Sequence, residues 1–149
     1  MVAIPADVVS NSDAADSSRR PIATILVADD NRDMVDSVAS LLRMANYNVI
    51  CTYSAAEVLS VLDERSDIEL VLSDIRMPEY TGFDLYRVMR YRWPKVPIVL
   101  VTGFDITESD AAPRGAVIVK KPLTLAQLDA TIKAQLSISG PGAAATPSV

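Results

Sequence analysis

The sequence predicts an α/β fold in which a parallel sheet carries helices on both faces. Three observations predict it. Short apolar runs alternate with segments of helical periodicity along most of the chain. Those runs are apolar at consecutive positions rather than every second one, which suits strands covered on both sides. Four of the five runs lead into a carboxylate, a hydroxyl or an ammonium at their C-terminal end.

Each element has its own signal. Thr24 to Ala28 is an apolar run that stops at Asp29-Asp30, a strand followed by a polar turn. From Asp33 to Met44, with Ala45 just beyond, Met34, Val38, Leu41, Leu42 and Ala45 recur at helical spacing. Asn48 to Tyr53 reads as a second strand, and Ser54 as the N-cap of a helix whose apolar face is Ala55, Val58, Leu59 and Leu62. Leu70 to Ser73 is a third strand, ending in Asp74. A turn, IRMPEYTG, leads to a helix over about Phe83 to Tyr91, with Pro94 and Pro97 beyond it. Pro97 to Val101 is the most apolar strand and ends in Thr102-Gly103. Ala116 to Val119 is the last strand, before Lys120-Lys121-Pro122. A final helix is predicted over Leu125 to Leu136, with Leu125, Leu128, Ile132 and Leu136 on one side. Between Asp105 and Gly115, Pro113 leaves room only for a short or partly unwound fourth helix, around Thr107 to Ala112.

The length of 149 residues suits one domain, and 50% hydrophobic residues are ample for its core. We place that domain at residues 23–137. Residues 1–22 are rich in Ser, Asp and Ala without a sustained period, and residues 138–149 contain Gly140-Pro141-Gly142; both are expected to be flexible tails. A net charge of −5 argues against direct binding to nucleic acid. The chain has no histidine, which excludes a Ser-His-Asp triad, a His-ligated metal and a phosphohistidine of its own. One cysteine, Cys51, cannot form an internal disulfide and reads as a small core residue of the second strand. No secretory signal and no span of membrane length are visible, so the expected location is the cytoplasm, without membrane attachment.

In a parallel sheet all C-terminal strand ends share one edge, where open α/β folds bind ligands. Asp29, Asp30, Asp74, Thr102 and Lys121 should therefore converge there. Three carboxylates repel one another, and a hard divalent cation such as Mg²⁺ relieves this through oxygen ligands. Ionised Asp74 is then both a metal ligand and a nucleophile. Lys121 suits a phosphoryl group as counter-charge and Thr102 as hydrogen-bond donor. Singly, each residue has a plainer reading: a turn or cap for the aspartates, a turn for Thr102-Gly103, a solvated pair for Lys120-Lys121. Met77 reads as packing beside the site.

The residues Asp29-Asp30, SDIRMPEYTG at 73–82, VTG at 101–103 and Lys121-Pro122 together resemble the response-regulator receiver family of two-component signalling. The likeness covers roughly Thr24 to Leu136. It implies a flavodoxin-like, doubly wound five-stranded sheet in the order 2-1-3-4-5. It implies that Asp74 is phosphorylated, that Asp29, Asp30, Asp74 and the backbone carbonyl of Arg76 hold Mg²⁺, and that Thr102 and Lys121 act on the phosphoryl group. The Lys121-Pro122 bond would be cis, and the Lys-Pro pairing favours Lys121 over Lys120 as the active lysine. The implied donor is a phosphohistidine on a sensor histidine kinase or histidine phosphotransfer protein. Output would pass by contact with an unknown downstream protein, with a homodimer left open, and the domain would not be an enzyme beyond slow self-dephosphorylation tuned by Arg76.

Two departures concern output. The stretch from Thr102 to Lys121 is shorter than usual in the family, and Ile118 stands where the family usually has a switch aromatic. The expectation is an altered signalling surface, with residues 104–119 ordering on phosphorylation. An aspartyl-phosphate hydrolase is the rival from another class. It needs an acid two positions after its first-strand nucleophile, where this chain has Asn31.

Overall fold

A computed structural model describes residues 20–103 and 112–139. The described elements are β1 (Thr24–Ala28), α1 (Arg32–Met44), β2 (Asn48–Thr52), α2 (Ala55–Glu64), β3 (Leu70–Asp74), α3 (Gly82–Arg92), β4 (Ile98–Thr102), β5 (Val117–Lys120) and α4 (Leu125–Ser139). The strands form one sheet in the order β2-β1-β3-β4-β5, and every neighbouring pair is parallel. This is the doubly wound order expected from the sequence.

The sheet separates two cores. Ile25, Val27, Leu70, Leu72, Val99 and Val101 meet Val35 and Leu42 of α1 and Leu128 and Ile132 of α4. The intervening strand residues, Leu26, Val71, Ile98 and Leu100 among them, meet Val58 and Leu62 of α2 and Leu85 and Met89 of α3. Side chains alternate across a strand, so a run that is apolar at every position supplies both layers. Cys51 is half-buried against the first core, and Met77 is buried in the second.

Capping fixes where the helices begin. Ser54 Oγ accepts from Glu57 N–H at 3.1 Å, as predicted for α2. At α1 the cap is Asn31, whose Oδ1 accepts from Met34 N–H at 3.2 Å, so the helix starts at Arg32. At α3, Thr81 and Asp84 form a reciprocal capping box, which brings Gly82 into the first turn.

Several boundaries lie a residue or more from expectation, those of β5 and α4 among them. Ala116 N–H donates to Pro113 carbonyl at 3.2 Å, which holds Ala116 in a turn and starts β5 at Val117. Helix α4 runs on to Ser139, past Leu136 and into the stretch assigned to the C-terminal tail, and no Gly or Pro interrupts it between Leu125 and Ser139. Residues 1–19 and 140–149 of the expected tails lie outside the described residues. So does most of the expected fourth helix, of which only Ala112 is described; it packs half-buried against the second core.

Candidate functional site

Each candidate side chain is placed by the end of a strand. The register pairs Ala28 with both Thr52 and Ser73, Asp74 with Val101, and Thr102 with Lys120, so the C-terminal ends are level. Asp29, Asp30, Asp74, Thr102 and Lys121 therefore meet on one edge of the sheet.

The first corner is built around Asp29. Its Oδ1 accepts from the backbone N–H of Asn31 at 3.0 Å, while its own N–H donates to Thr52 carbonyl at 3.4 Å. Thr52 is buried, and its hydroxyl donates to Val27 carbonyl at 2.8 Å. Capping of α1 falls to Asn31, so Asp29 and Asp30 are not needed as caps. Asn31 is thus a structural residue, and the acid that the hydrolase scheme requires at this position is missing.

The second corner is the turn after β3. Ile75 N–H donates to Val101 carbonyl at 3.0 Å, and Gly82 N–H returns to Ile75 carbonyl at 2.8 Å. A Cβ at Gly82 would lie 2.6 Å from the carbonyl oxygen of Asp74 and 2.9 Å from Cα of Ile75. Only glycine lets α3 begin this close to the backbone of Asp74. Between them Glu79 takes a left-handed conformation, φ 69°. Arg76, two positions after Asp74, is exposed.

Lys121 closes the site. Its N–H donates to Thr102 carbonyl at 2.7 Å, which ties the exits of β4 and β5 together. Its Nζ stands 3.5 Å from Asp29 Oδ2 and 3.7 Å from Asp74 Oδ1. The plainer reading of Lys121 as a solvated lysine therefore fails. Lys120 is exposed one position earlier, and the Lys121-Pro122 bond is cis. Thr102 is buried at the end of β4, 2% exposed.

Burial and like charge both act on the carboxylates. The carboxyl of Asp74 is pushed up from 3.8 to about 6, first by burial and then by the charge of Asp29, with Lys121 and the Ile75 N–H pulling the other way. Asp29 is raised too, again mainly by burial, against the Asn31 N–H and Lys121. Sequence reasoning names mutual repulsion as the cause; the larger one is desolvation.

One carboxylate oxygen from each of Asp29, Asp30 and Asp74 lies within 4.8 Å of the others. An Mg²⁺ ion binds oxygen at about 2.0–2.1 Å, so trans ligands lie about 4.2 Å apart and cis ligands about 3 Å, and side-chain rotation closes the gap. The donor set is all hard oxygen, half open to water and poor in positive charge. It fits Mg²⁺.

The reach of Gly82 and the support given by Asn31 and Thr52 were less visible in sequence. Gly82 carried a signal, as the last residue of the Met-Pro-x-x-x-Gly turn. Asn31 carried one as a cap residue just ahead of a helical period. Thr52 carried none.

Comparison with known proteins agrees with this geometry. The family model for the response regulator receiver domain matches residues 25–133. Regulatory protein VanR of Enterococcus faecium is 35% identical over 117 residues, which are 75% of this chain and 49% of VanR. Transcriptional regulatory protein ZraR of Salmonella typhimurium is 32% identical over 127 residues, 83% of this chain and 29% of ZraR. The chain thus spans about half or less of these two relatives. The crystal structure of a response regulator receiver protein from Sinorhizobium medicae superposes with a TM-score of 0.71 at 30% identity, covering 79% of this chain and 97% of that one. With the matched segment running from β1 into α4 and enclosing the whole acidic edge, the chain belongs to the response regulator receiver domain family.

Proposed function

We propose that this chain accepts a phosphoryl group on Asp74 from a phosphohistidine of a sensor histidine kinase or a histidine phosphotransfer protein. The observation that carries this is the convergence of Asp29, Asp30 and Asp74 with Lys121 at one edge of the sheet. A carboxylate oxygen of Asp74 attacks phosphorus in line, the phosphorus–nitrogen bond to the imidazole breaks, and the nitrogen keeps the electron pair. Lys121 exchanges its contact with the carboxylates for one with the phosphoryl oxygens, and the Thr102 hydroxyl donates to one of them. Asp29, Asp30, Asp74 and the carbonyl of Arg76 would hold Mg²⁺, which when bound supplies positive charge to offset that of the phosphoryl oxygens.

Loss of the group follows the reverse logic. Water attacks phosphorus, the phosphorus–oxygen bond to Asp74 breaks, and inorganic phosphate leaves. Arg76, exposed two positions after Asp74, would govern access of that water. Receiver domains are phosphoacceptors rather than enzymes in the ordinary sense. Output is by contact with a downstream protein, as a monomer or a homodimer. The net charge of −5 supports protein, not nucleic acid, as the direct partner. No helix among the described residues is long and apolar enough to cross a membrane, which supports a cytoplasmic setting.

The test is transfer from a purified phosphohistidine protein, followed by hydroxylamine, which cleaves acyl phosphates. Label should reach the chain only with Mg²⁺ present and should be released by hydroxylamine. Label that survives hydroxylamine would place the group on a hydroxyl and overturn the assignment.

A further inference from the structure

The groove between α2 and α3 is not used by the chemistry above. Both helices pack on the same face of the sheet. At their C-terminal ends an ion pair joins them, Arg92 to Asp63 at 2.8 Å. Toward their N-terminal ends they enclose an open, apolar cavity of about 260 Å³, lined by Ala55, Leu59, Tyr80, Asp84, Leu85 and Val88.

Size limits what can enter. A cavity of about 150 Å³ takes benzene, whereas pockets for whole ligands start at about 300 Å³. The cavity therefore suits one bulky apolar side chain, such as Leu, Phe or Trp. Its surroundings suit a protein surface. Tyr80 at the rim is 55% exposed, and Tyr91, one turn beyond Val88 on α3, is 88% exposed. Exposed aromatic residues beside an apolar pocket are the composition of a protein-binding centre.

Charge fixes the partner's chemistry. Helix α2 carries Glu57, Asp63 and Glu64 and no Lys or Arg. Asp84 lines the opposite wall, and Glu79 precedes Tyr80 in the turn. Helix α3 brings three cations, Arg87, Arg90 and Arg92, and each is engaged: Arg87 lies 3.6 Å from Asp84, Arg90 lies over the Tyr86 ring, and Arg92 is paired with Asp63. The rim is acidic in balance, so a partner gains by bringing Lys or Arg.

The cavity is also joined to the acceptor. Tyr80 lies in the turn that starts at Asp74 and closes at Gly82, whose N–H donates to Ile75 carbonyl at 2.8 Å and which leaves no room for a Cβ against the Asp74 carbonyl. A shift of the Asp74 backbone cannot be absorbed at Gly82 and moves the wall of the cavity. We infer that the α2–α3 groove is a docking site for a basic amphipathic segment of a partner protein, anchored by one bulky apolar side chain and sensitive to phosphorylation at Asp74. This inference rests on the phosphoacceptor reading for its sensitivity, and on the groove alone for its binding.

The experiment uses the full ¹⁵N-labelled chain with Mg²⁺, with and without beryllofluoride. Two synthetic helical peptides are titrated, both with one Trp anchor: one of Leu and Lys, one of Leu and Glu. The Leu-Lys peptide should shift amides of residues 55–63 and 80–91. Its Kd should change at least threefold with beryllofluoride. The Val88→Lys variant should weaken it at least tenfold while acetyl phosphate still phosphorylates Asp74, read by mass on the same sample. Equal shifts with the Leu-Glu peptide, shifts centred elsewhere, or unchanged affinity in Val88→Lys would overturn the docking site. If binding maps to the groove but no phosphoryl group is taken up and beryllofluoride has no effect, the docking site stands and its link to Asp74 falls.

Discussion

Asp74 occupies a position that opposes its own charge. Its carboxyl titrates at about 6 rather than 3.8 because it is buried beside Asp29. A carboxyl with a raised folded-state value favours the folded state while protonated. That contribution is fully present below about pH 4 and is lost as pH rises through about 6. In EDTA, Asp74→Asn should therefore be more stable than wild type above pH 7 by about 1–2 kcal/mol, allowing for the site's partial exposure, and the gain should vanish near pH 4. Urea denaturation at the two pH values measures it. Lys121→Ala should act in the opposite sense on the site, because it removes the cation closest to both Asp29 and Asp74. Its phosphorylation rate with acetyl phosphate should fall roughly 10²-fold, the usual scale for one lost charge-stabilising group. Lys121 was legible in the sequence. One of two adjacent lysines is ordinary by itself, but its position after a strand on the shared edge and its pairing with Pro122 give it a role.

At the scale of elements, the turn from Asp74 to Gly82 decides the geometry. Gly82→Ala places a methyl group 2.6 Å from the Asp74 carbonyl oxygen and 3.0 Å from Leu100 Cδ2. We expect a loss of about 1–3 kcal/mol in thermal or urea unfolding, together with slower phosphorylation, because α3 or the Asp74 backbone must move. Thr81→Ala removes half of the capping box and should cost about 1 kcal/mol while leaving phosphorylation intact. The elements themselves were legible because strands covered on both faces leave an unmistakable continuous apolar run. Boundaries were less so. Ala116 looks like strand until its N–H turns back to Pro113, and α4 continues to Ser139, beyond the end of its apolar stripe. The cap at Asn31 was hidden beside two aspartates that could equally have served.

For the whole molecule, the parallel order β2-β1-β3-β4-β5 accounts for the site: it collects groups from positions 29 to 121 on one edge. That convergence was legible because it depends on strand direction alone. The dominance of burial over repulsion at Asp74 was not, since it depends on how deep the edge lies. The α2–α3 groove was not either, since it depends on how far two helices splay. Mg²⁺ binding to the folded chain should raise its stability by about 2.7 kcal/mol at a hundredfold excess over Kd, and Asp29→Ala or Asp30→Ala should reduce that gain in a thermal melt. The most direct test of the central claim is intact mass after incubation with acetyl phosphate and Mg²⁺, for wild type and Asp74→Asn. Gain of one phosphoryl group by wild type alone is the predicted result. A group gained equally by Asp74→Asn would contradict the assignment of Asp74 as the acceptor.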